Sequence, residues 1–331
     1  MSNNIKDVAK EAGVAISTVS KVLNNYPGVS EASKKKVLKA VHKLNYTPNR
    51  VASALSSKTG NRIGLVMIIN KNYQAIDELN MQYLLGAISA AHKLKIEVIP
   101  IFSSFFEGLS KEETLQYFSK NQISSLVLYG MSRDYNVFHD IIKEERFSVV
   151  VVDAPFINDK TSSIMINHTK AQYEIAEMAI KDTSAKSILY LAGDENGYVT
   201  TMRINGIKGL MDRHNLTIDI EYADFSERLA YTKVLASKKA YDLIICASDL
   251  MAIGAMNAAK EKGINPTITG YDGITLLSYI PTEIKTVKQN FFQISYEAVH
   301  EVNQINEGKE GEPIYVAYEI GTRKYEDIFN N

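Results

Sequence analysis

Polar residues stand at the carboxyl ends of several apolar runs in this sequence, which is where α/β folds gather their ligand contacts. Asp153 follows the run 149–152, Ser248 and Asp249 follow 243–247, and Asp272 sits within Gly270-Tyr-Asp-Gly273. Arg203, in Met202-Arg-Ile-Asn-Gly206, lies at the start of a helix-compatible stretch after the loop Gly193-Asp-Glu-Asn-Gly197. A guanidinium and a carboxylate facing one cleft suit vicinal hydroxyls. The guanidinium donates to two oxygens and the carboxylate accepts from two hydroxyls. Plainer roles are open to the same residues, because a strand-end Asp can cap the next helix and an Arg can close an ordinary salt bridge. Asp249 fits the first of these, as N-cap of a helix over 250–262.

A second chemistry lies near the start. Ile16, Ser17, Ser20 and Lys21 form the outward face of a short helix whose small or basic side chains let it approach base edges in a major groove. The first sixty residues carry nine Lys and one Arg against three acids, a net +7, while the whole chain is −1. The basic segment suits a polyanion that the acidic remainder would repel. Enzyme signatures are missing. No G-x-G-x-x-G follows a strand, and neither a phosphate-binding G-x-x-x-x-G-K-[ST] loop nor a G-x-S-x-G elbow is present. The six His (42, 92, 139, 168, 214, 300) are scattered, and Cys246 lies inside an apolar strand as a small hydrophobe. No metal site and no cofactor are expected.

The elements that position these residues follow from periodicity. Ile5, Val8, Ala9 and Ala12 mark one short helix, capped by Asn4, and Gly13 stops it. Val19, Val22 and Leu23 mark a second. After the loop 24–28, Ser30 caps a third, with the stripe Val37, Leu38, Val41, Leu44. Two short helices around a Gly, then a longer packing helix, make a helix-turn-helix. From residue 62, short apolar runs (63–69, 97–102, 125–129, 148–152, 187–192, 243–247, 267–270) alternate with amphipathic stretches, the pattern of a doubly wound parallel sheet. The number of elements over this length indicates two similar lobes. With 331 residues, 45% hydrophobic, and no apolar run near the roughly 18 residues of a membrane span, the composition is ordinary globular. The start of the chain has no apolar core for a signal peptide, and one Cys forms no internal disulfide, so a cytoplasmic protein is expected.

Four strings carry a resemblance: Ile5-Lys-Asp-Val-Ala-Lys-Glu-Ala-Gly-Val14, Thr18-Val-Ser-Lys-Val-Leu-Asn24, Pro27-Gly-Val-Ser30 and Asn45-Tyr-Thr-Pro-Asn-Arg-Val-Ala52. They resemble the headpiece of the lactose-repressor (LacI/GalR) family, and the rest of the chain is similar to that family's effector-binding core. The resemblance implies that Ile16, Ser17 and Lys21 face bases and that Thr18, Asn24 and Asn49 contact phosphates. It makes 49–57, with Ala52, a hinge helix, and Leu55 the wedge inserted at the minor-groove dyad. Alone, nine residues are too few to hold a helix, which needs about 12–15. Two departures stand out. Ala15 replaces the usual Ser, forfeiting a cap worth roughly 1 kcal/mol, and Lys21 replaces a commoner Arg, losing the bidentate fork.

The resemblance further implies a headpiece over 1–48, a hinge and linker over 49–61, and a core over 62–331 of the periplasmic-binding-protein type. Its N-lobe is expected over about 62–160 and 291–320 and its C-lobe over about 161–290 and 321–331, with crossovers near 157–163, 289–292 and 319–323. Arg203, Asp272, Ser248, Phe291 and Phe156 would line the interlobe effector site. The expected protein is a homodimeric repressor of a sugar-utilisation operon, not an enzyme and not a membrane protein. Its partners would be a pseudopalindromic operator in double-stranded DNA and a small-molecule effector, a sugar or sugar phosphate. A regulator using a non-sugar metabolite as corepressor, or a sugar-sequestering binding protein, are the competing expectations.

Overall fold

The computed structural model describes residues 5–23, 29–44, 62–68 and 78–329. The chain divides into two units, Met1–Ser57 and Lys58–Asn331. In the first, α1 (Ile5–Ala12), α2 (Ile16–Leu23) and α3 (Glu31–Lys43) form a helix-turn-helix region. Gly13 turns the corner at φ +64°, and the Val14 N–H returns to the Ala9 carbonyl at 3.1 Å. The Ser30 hydroxyl accepts the Ser33 N–H at 3.3 Å, capping α3 as its sequence predicts. Val8, Ala9 and Ala12 pack with Val19, Val22, Val37 and Ala40. Leu38 departs from its expected inward place and is 51% exposed. The buried face of α3 instead runs through Val37 and Ala40, with Val41 and Leu44 partly covered, which leaves position 38 beyond its edge. The expected Asn4 cap, the loop 24–28 and the hinge 49–57 lie outside the described residues.

The second unit holds two six-stranded sheets. The first contains β1 (Arg62–Met67), β2 (Glu97–Phe102), β3 (Ile123–Tyr129), β4 (Ser148–Val152), β5 (Thr161–Met165) and β11 (Pro313–Tyr315). Its order is β11-β5-β4-β3-β1-β2, with every pairing parallel. The second contains β6 (Ile188–Ala192), β7 (Ile218–Tyr222), β8 (Leu243–Cys246), β9 (Thr267–Thr269), β10 (Lys285–Gln289) and β12 (Tyr318–Thr322). Its order is β12-β10-β9-β8-β6-β7, parallel apart from the antiparallel β10–β12 pair. Between them run α4 (Glu78–Leu94), α5 (Lys111–Lys120), α6 (Asn136–Lys143), α7 (His168–Thr183), α8 (Tyr198–His214), α9 (Glu227–Ala236), α10 (Asp249–Lys262) and α11 (Phe291–Asn306). β3, β4, β6 and β8 are buried throughout, as parallel strands covered on both faces must be. Close helix contacts use glycine. A Cβ on Gly86 of α4 would lie 2.1 Å from the Phe292 carbonyl oxygen of α11.

The lobe boundaries differ from expectation. β5 pairs with β4, Val149 opposite Thr161, so the first lobe continues through residue 165 and does not end at 160. β12 begins at Tyr318 in the second sheet, so the other boundary falls before 318 and not at 320. The chain therefore crosses between sheets at 166–167, 290 and 316–317. The sequence hides β5 because Thr161-Ser-Ser puts hydroxyls where apolar residues are expected. Ser162 donates to the buried Glu301 at 2.7 Å and Ser163 to the Ala154 carbonyl at 2.9 Å, so the two serine hydroxyls are satisfied internally, while the buried Thr161 hydroxyl has no hydrogen-bond partner.

Candidate functional site

The strand ends of both sheets converge on a cavity of about 420 Å³ between the lobes. The first lobe supplies Tyr129 at the end of β3 and Gly130 after it, Asp153 after β4, and Leu79 and Tyr83 from α4. The second supplies Asp194 after β6, Asp224 and Phe225 after β7, Arg203 from α8, Asp272 after β9, and Gln289. Three of the carboxylates sit on uncommon backbone: Asp153 at φ +61°, Asp224 at φ +51° and Asp272 at φ +118°. Non-glycine residues held in such regions cost on the order of 1–3 kcal/mol and cluster where a site requires them.

Asp272 is fixed from several sides. Its N–H donates to the Val287 carbonyl at 2.8 Å, and the Gln289 N–H donates to its own carbonyl at 3.1 Å. The turn beneath is organised by Asp249, fully buried, whose carboxylate accepts the Gly273 N–H at 2.6 Å, the Ile274 N–H at 2.8 Å and the Thr286 hydroxyl at 2.7 Å. Gly273 is required there, at φ +76° with the Lys288 Cα 2.7 Å from where a Cβ would stand. The Asp272 carboxylate accepts from Gln289 Nε2 at 3.1 Å and faces the Arg203 guanidinium at 3.6 Å. Burial pushes its carboxyl up to about 7, although the Arg203 charge pulls it down.

Arg203 is only 4% exposed. Its guanidinium donates to the Ala247 carbonyl, stacks 3.7 Å above the Tyr271 ring, and leaves its Nε without a protein partner. The Gln289 Oε1 is likewise buried without a partner. A donor and an acceptor without protein partners thus lie buried in two side chains that line the cavity, and polar groups left so are ones a bound polar molecule can complete.

Behind Asp153 stands a residue the sequence does not single out. His168 opens α7, and its Nε2 lies 2.8 Å from Asp153 Oδ1 while its Nδ1 lies 3.0 Å from the Tyr271 hydroxyl. A carboxylate only accepts, so Nε2 carries the proton and Nδ1 accepts from Tyr271. Burial holds the imidazole pKa below its usual value, which keeps the ring neutral. Tyr83 donates to the other Asp153 oxygen at 3.4 Å, and burial raises its phenol far above the usual range. This chain of groups links the two lobes beneath the cavity.

The lips of the cavity are also joined. On one side, Glu78 of α4 accepts the Thr275 N–H at 2.8 Å and the Thr275 hydroxyl at 2.7 Å. On the other, Arg133 reaches the Asn196 carbonyl at 3.2 Å and the Thr201 hydroxyl at 3.1 Å, and Asn196 donates to Asp134 at 3.1 Å.

Of the residues proposed from the sequence, Arg203, Asp272 and Phe291 line the cavity, Phe291 meeting Tyr83 edge-on at 5.3 Å. Ser248 does not. Its hydroxyl accepts the Met251 N–H at 3.3 Å, so it is the N-cap of α10, and Asp249, expected to be the cap, is the first helical residue. Phe156 also lies outside the wall, packed against His139 and Tyr198. The strand-end rule points to Asp153, and Gln289 ends a strand two residues before Phe291. No local signal marks His168, Tyr83 or Asp224. Cys246 is buried, and burial raises its thiol pKa, so it is inert. On α2, Ile16, Ser17 and Lys21 are exposed and Thr18 is half-buried, while Val19 and Val22 point inward. Asn24, Asn49, Ala52 and Leu55 lie outside the described residues.

A helix-turn-helix followed by two Rossmann-like lobes around a ligand cavity defines the class of effector-responsive regulators built on a periplasmic-binding-protein core. Residues 4–49 match the family of bacterial regulatory proteins of the lacI type, and residues 138–310 match a periplasmic binding protein domain. The chain belongs to the lacI family of bacterial regulatory proteins. It is 29% identical over 333 residues to the HTH-type transcriptional regulator RegA of Clostridium saccharobutylicum, covering 96% of each. It is 26% identical over 343 residues to the HTH-type transcriptional repressor PurR of Histophilus somni, covering 97% of this chain and 98% of that one. The fold matches the lac repressor dimer bound to operator and the anti-inducer ONPF, with a TM-score of 0.66 and 23% identity over 98% of this chain and 99% of that one. Among the described residues no helix is long and apolar enough to cross a membrane.

Proposed function

We propose that this chain is a cytoplasmic homodimeric repressor, without enzymatic activity, whose operator affinity is set by a polyhydroxylated small molecule in the interlobe cavity. The observation that carries the reading is the Arg203–Asp272 pair in the cavity wall, with the buried, unpartnered Nε of Arg203 and Oε1 of Gln289 beside it. Donor and acceptor side by side match adjacent hydroxyls, and the rings of Phe225 and Phe291 offer apolar faces to a sugar's C–H surface.

In this reading Ile16, Ser17 and Lys21 meet base edges, Thr18, Asn24 and Asn49 hold phosphates, and Ala52 and Leu55 act in the hinge. The second copy is supported by the exposed stripe Met81, Leu85 and Ile88 along α4, spaced as one helix face. Two copies related by a two-fold axis read the half-sites of a pseudopalindrome. A ligand that favours the hinge-disordered state about a hundredfold per dimer weakens operator binding by roughly 2.7 kcal/mol.

The experiment measures binding to the chain's own upstream region by fluorescence anisotropy, with and without sugars that raise the melting temperature. Tight DNA binding released by such a sugar is the expected result. Tightening by the ligand would make it a corepressor, and no DNA binding at all would sink the repressor reading.

A further inference from the structure

Among the described residues the charge around the cavity is one-sided, and this narrows the ligand that the proposed effector site takes. Five aspartates line it: Asp134, Asp153, Asp194, Asp224 and Asp272. Among the described lining residues Arg203 is the one cation, and it is committed to the Ala247 carbonyl and to Asp272. His168, behind Asp153, is held neutral by burial and brings no positive charge. Arg133, outside the wall, points at the Asn196 carbonyl and the Thr201 hydroxyl and lies 4.7 Å from the Tyr198 ring.

Asp134, Asp194 and Asp224 gather at one lip. Burial raises the Asp194 carboxyl, and repulsion from Asp224, Asp134 and Glu195 adds to it. The buried Oε1 of Gln289, 6% exposed and without a protein partner, is an independent sign of the same demand, because it needs a donor from the ligand. Among the described residues the wall therefore offers acceptors and negative charge against one guanidinium. An anion brought into such a cleft loses its hydration and meets like charge at close range.

Resting on the reading that the cavity binds a polyol, we propose that it selects an uncharged or amine-bearing sugar and excludes phosphorylated and carboxylated ones, with Asp134, Asp194 and Asp224 as the charge filter. This narrows the sequence expectation of a sugar or sugar phosphate to the uncharged member and extends it to cationic ones. The interactions that remain suit such a ligand: Arg203 Nε donates to one hydroxyl oxygen, and Asp272, Gln289 Oε1 and Asp153 accept from neighbouring hydroxyls.

The test uses the full-length chain and sugars matched in ring and differing in charge. Glucose, galactose and cellobiose stand for the neutral set, and glucosamine and galactosamine for the cationic one. Glucose 6-phosphate, galactose 6-phosphate, glucuronate and galacturonate form the anionic set. Thermal shift identifies binders, and calorimetry gives Kd. Neutral or aminated members are expected to bind at least a hundredfold more tightly than their anionic counterparts. The triple variant Asp134→Asn, Asp194→Asn, Asp224→Asn is expected to narrow that gap at least tenfold. A phosphate or uronate that binds the parent as well as its neutral counterpart overturns the charge filter and leaves the polyol reading standing. A gap unchanged in a folded triple variant overturns the assignment of the filter to those residues. If no sugar of any charge binds, the polyol reading falls, and this inference falls with it.

Discussion

Removing the Arg203 side chain should separate ligand response from DNA binding. In Arg203→Ala two effects act together. The ligand loses a charge-assisted hydrogen bond from the guanidinium, worth roughly 1.5–3 kcal/mol. Asp272 loses the charge that counters burial, so its carboxyl, already at about 7, moves higher and is protonated at neutral pH. A neutral carboxyl accepts less strongly, costing about a further 1 kcal/mol. The sum, about 3 kcal/mol, corresponds to a Kd increase of roughly a hundredfold. Because Asp272 can take up a proton, the variant avoids stranding a buried charge and should still fold. Arg203→Lys keeps the charge but not the planar fork, and should fall between parent and Ala. Calorimetry with a sugar that binds the parent gives the ligand affinity, and anisotropy with labelled operator gives DNA affinity with and without it. Operator binding should match the parent while release by the sugar is lost. A folded Arg203→Ala variant that binds the sugar within threefold of the parent would refute the assignment.

Three further outcomes are expected. A carboxyl whose pKa rises from about 3.9 in the unfolded chain to about 7 in the fold contributes stability that is complete below about pH 4 and is lost as pH rises through 7; Asp272→Asn should therefore show a smaller fall in Tm between pH 5 and pH 8 than the parent. Gly86→Ala forces a Cβ to 2.1 Å from the Phe292 carbonyl oxygen, which should cost about 1–3 kcal/mol and be visible as a lower urea midpoint with unchanged operator specificity. Leu55→Ala should weaken operator binding by about 1–3 kcal/mol and reduce DNA bending, with sugar affinity untouched; unchanged affinity and bending would remove Leu55 from the minor groove.

The sequence is most legible where one physical demand dominates. Apolar runs such as 148–152 read directly as strands because parallel strands are buried on both faces. Ser30 and Gly13 mark helix ends because backbone groups there need an acceptor or a left-handed turn. It is least legible where tertiary contacts satisfy polar groups. β5 is hidden by hydroxyls whose partners are Glu301 and the Ala154 carbonyl, and β10, Lys-Thr-Val-Lys-Gln, by charges at its ends. In the site, Arg203 and Asp272 announce themselves by position and type. Ser248 misleads, because the same strand-end place serves a ligand or a helix cap, and only the 3.3 Å bond to the Met251 N–H decides. His168 gives no local signal, since its role depends on Asp153 and on Tyr271, more than a hundred residues away.

The sheet order has a consequence for biosynthesis. β5 is left as an open edge until β11 arrives, and the two meet through residues such as Ser162 and Glu312, 150 positions apart. A ribosome adding about 5–20 residues per second takes some 8–30 seconds to cover that interval. Throughout it the nascent first lobe presents an unpaired parallel edge, and for most of it α11, which covers its sheet, has not yet been made. The first lobe therefore completes its sheet only after the chain of the second lobe has been made through residue 290. The buried hydroxyls of β5 fit this situation, because a Thr-Ser-Ser edge waiting for its partner is less adhesive than an apolar one would be.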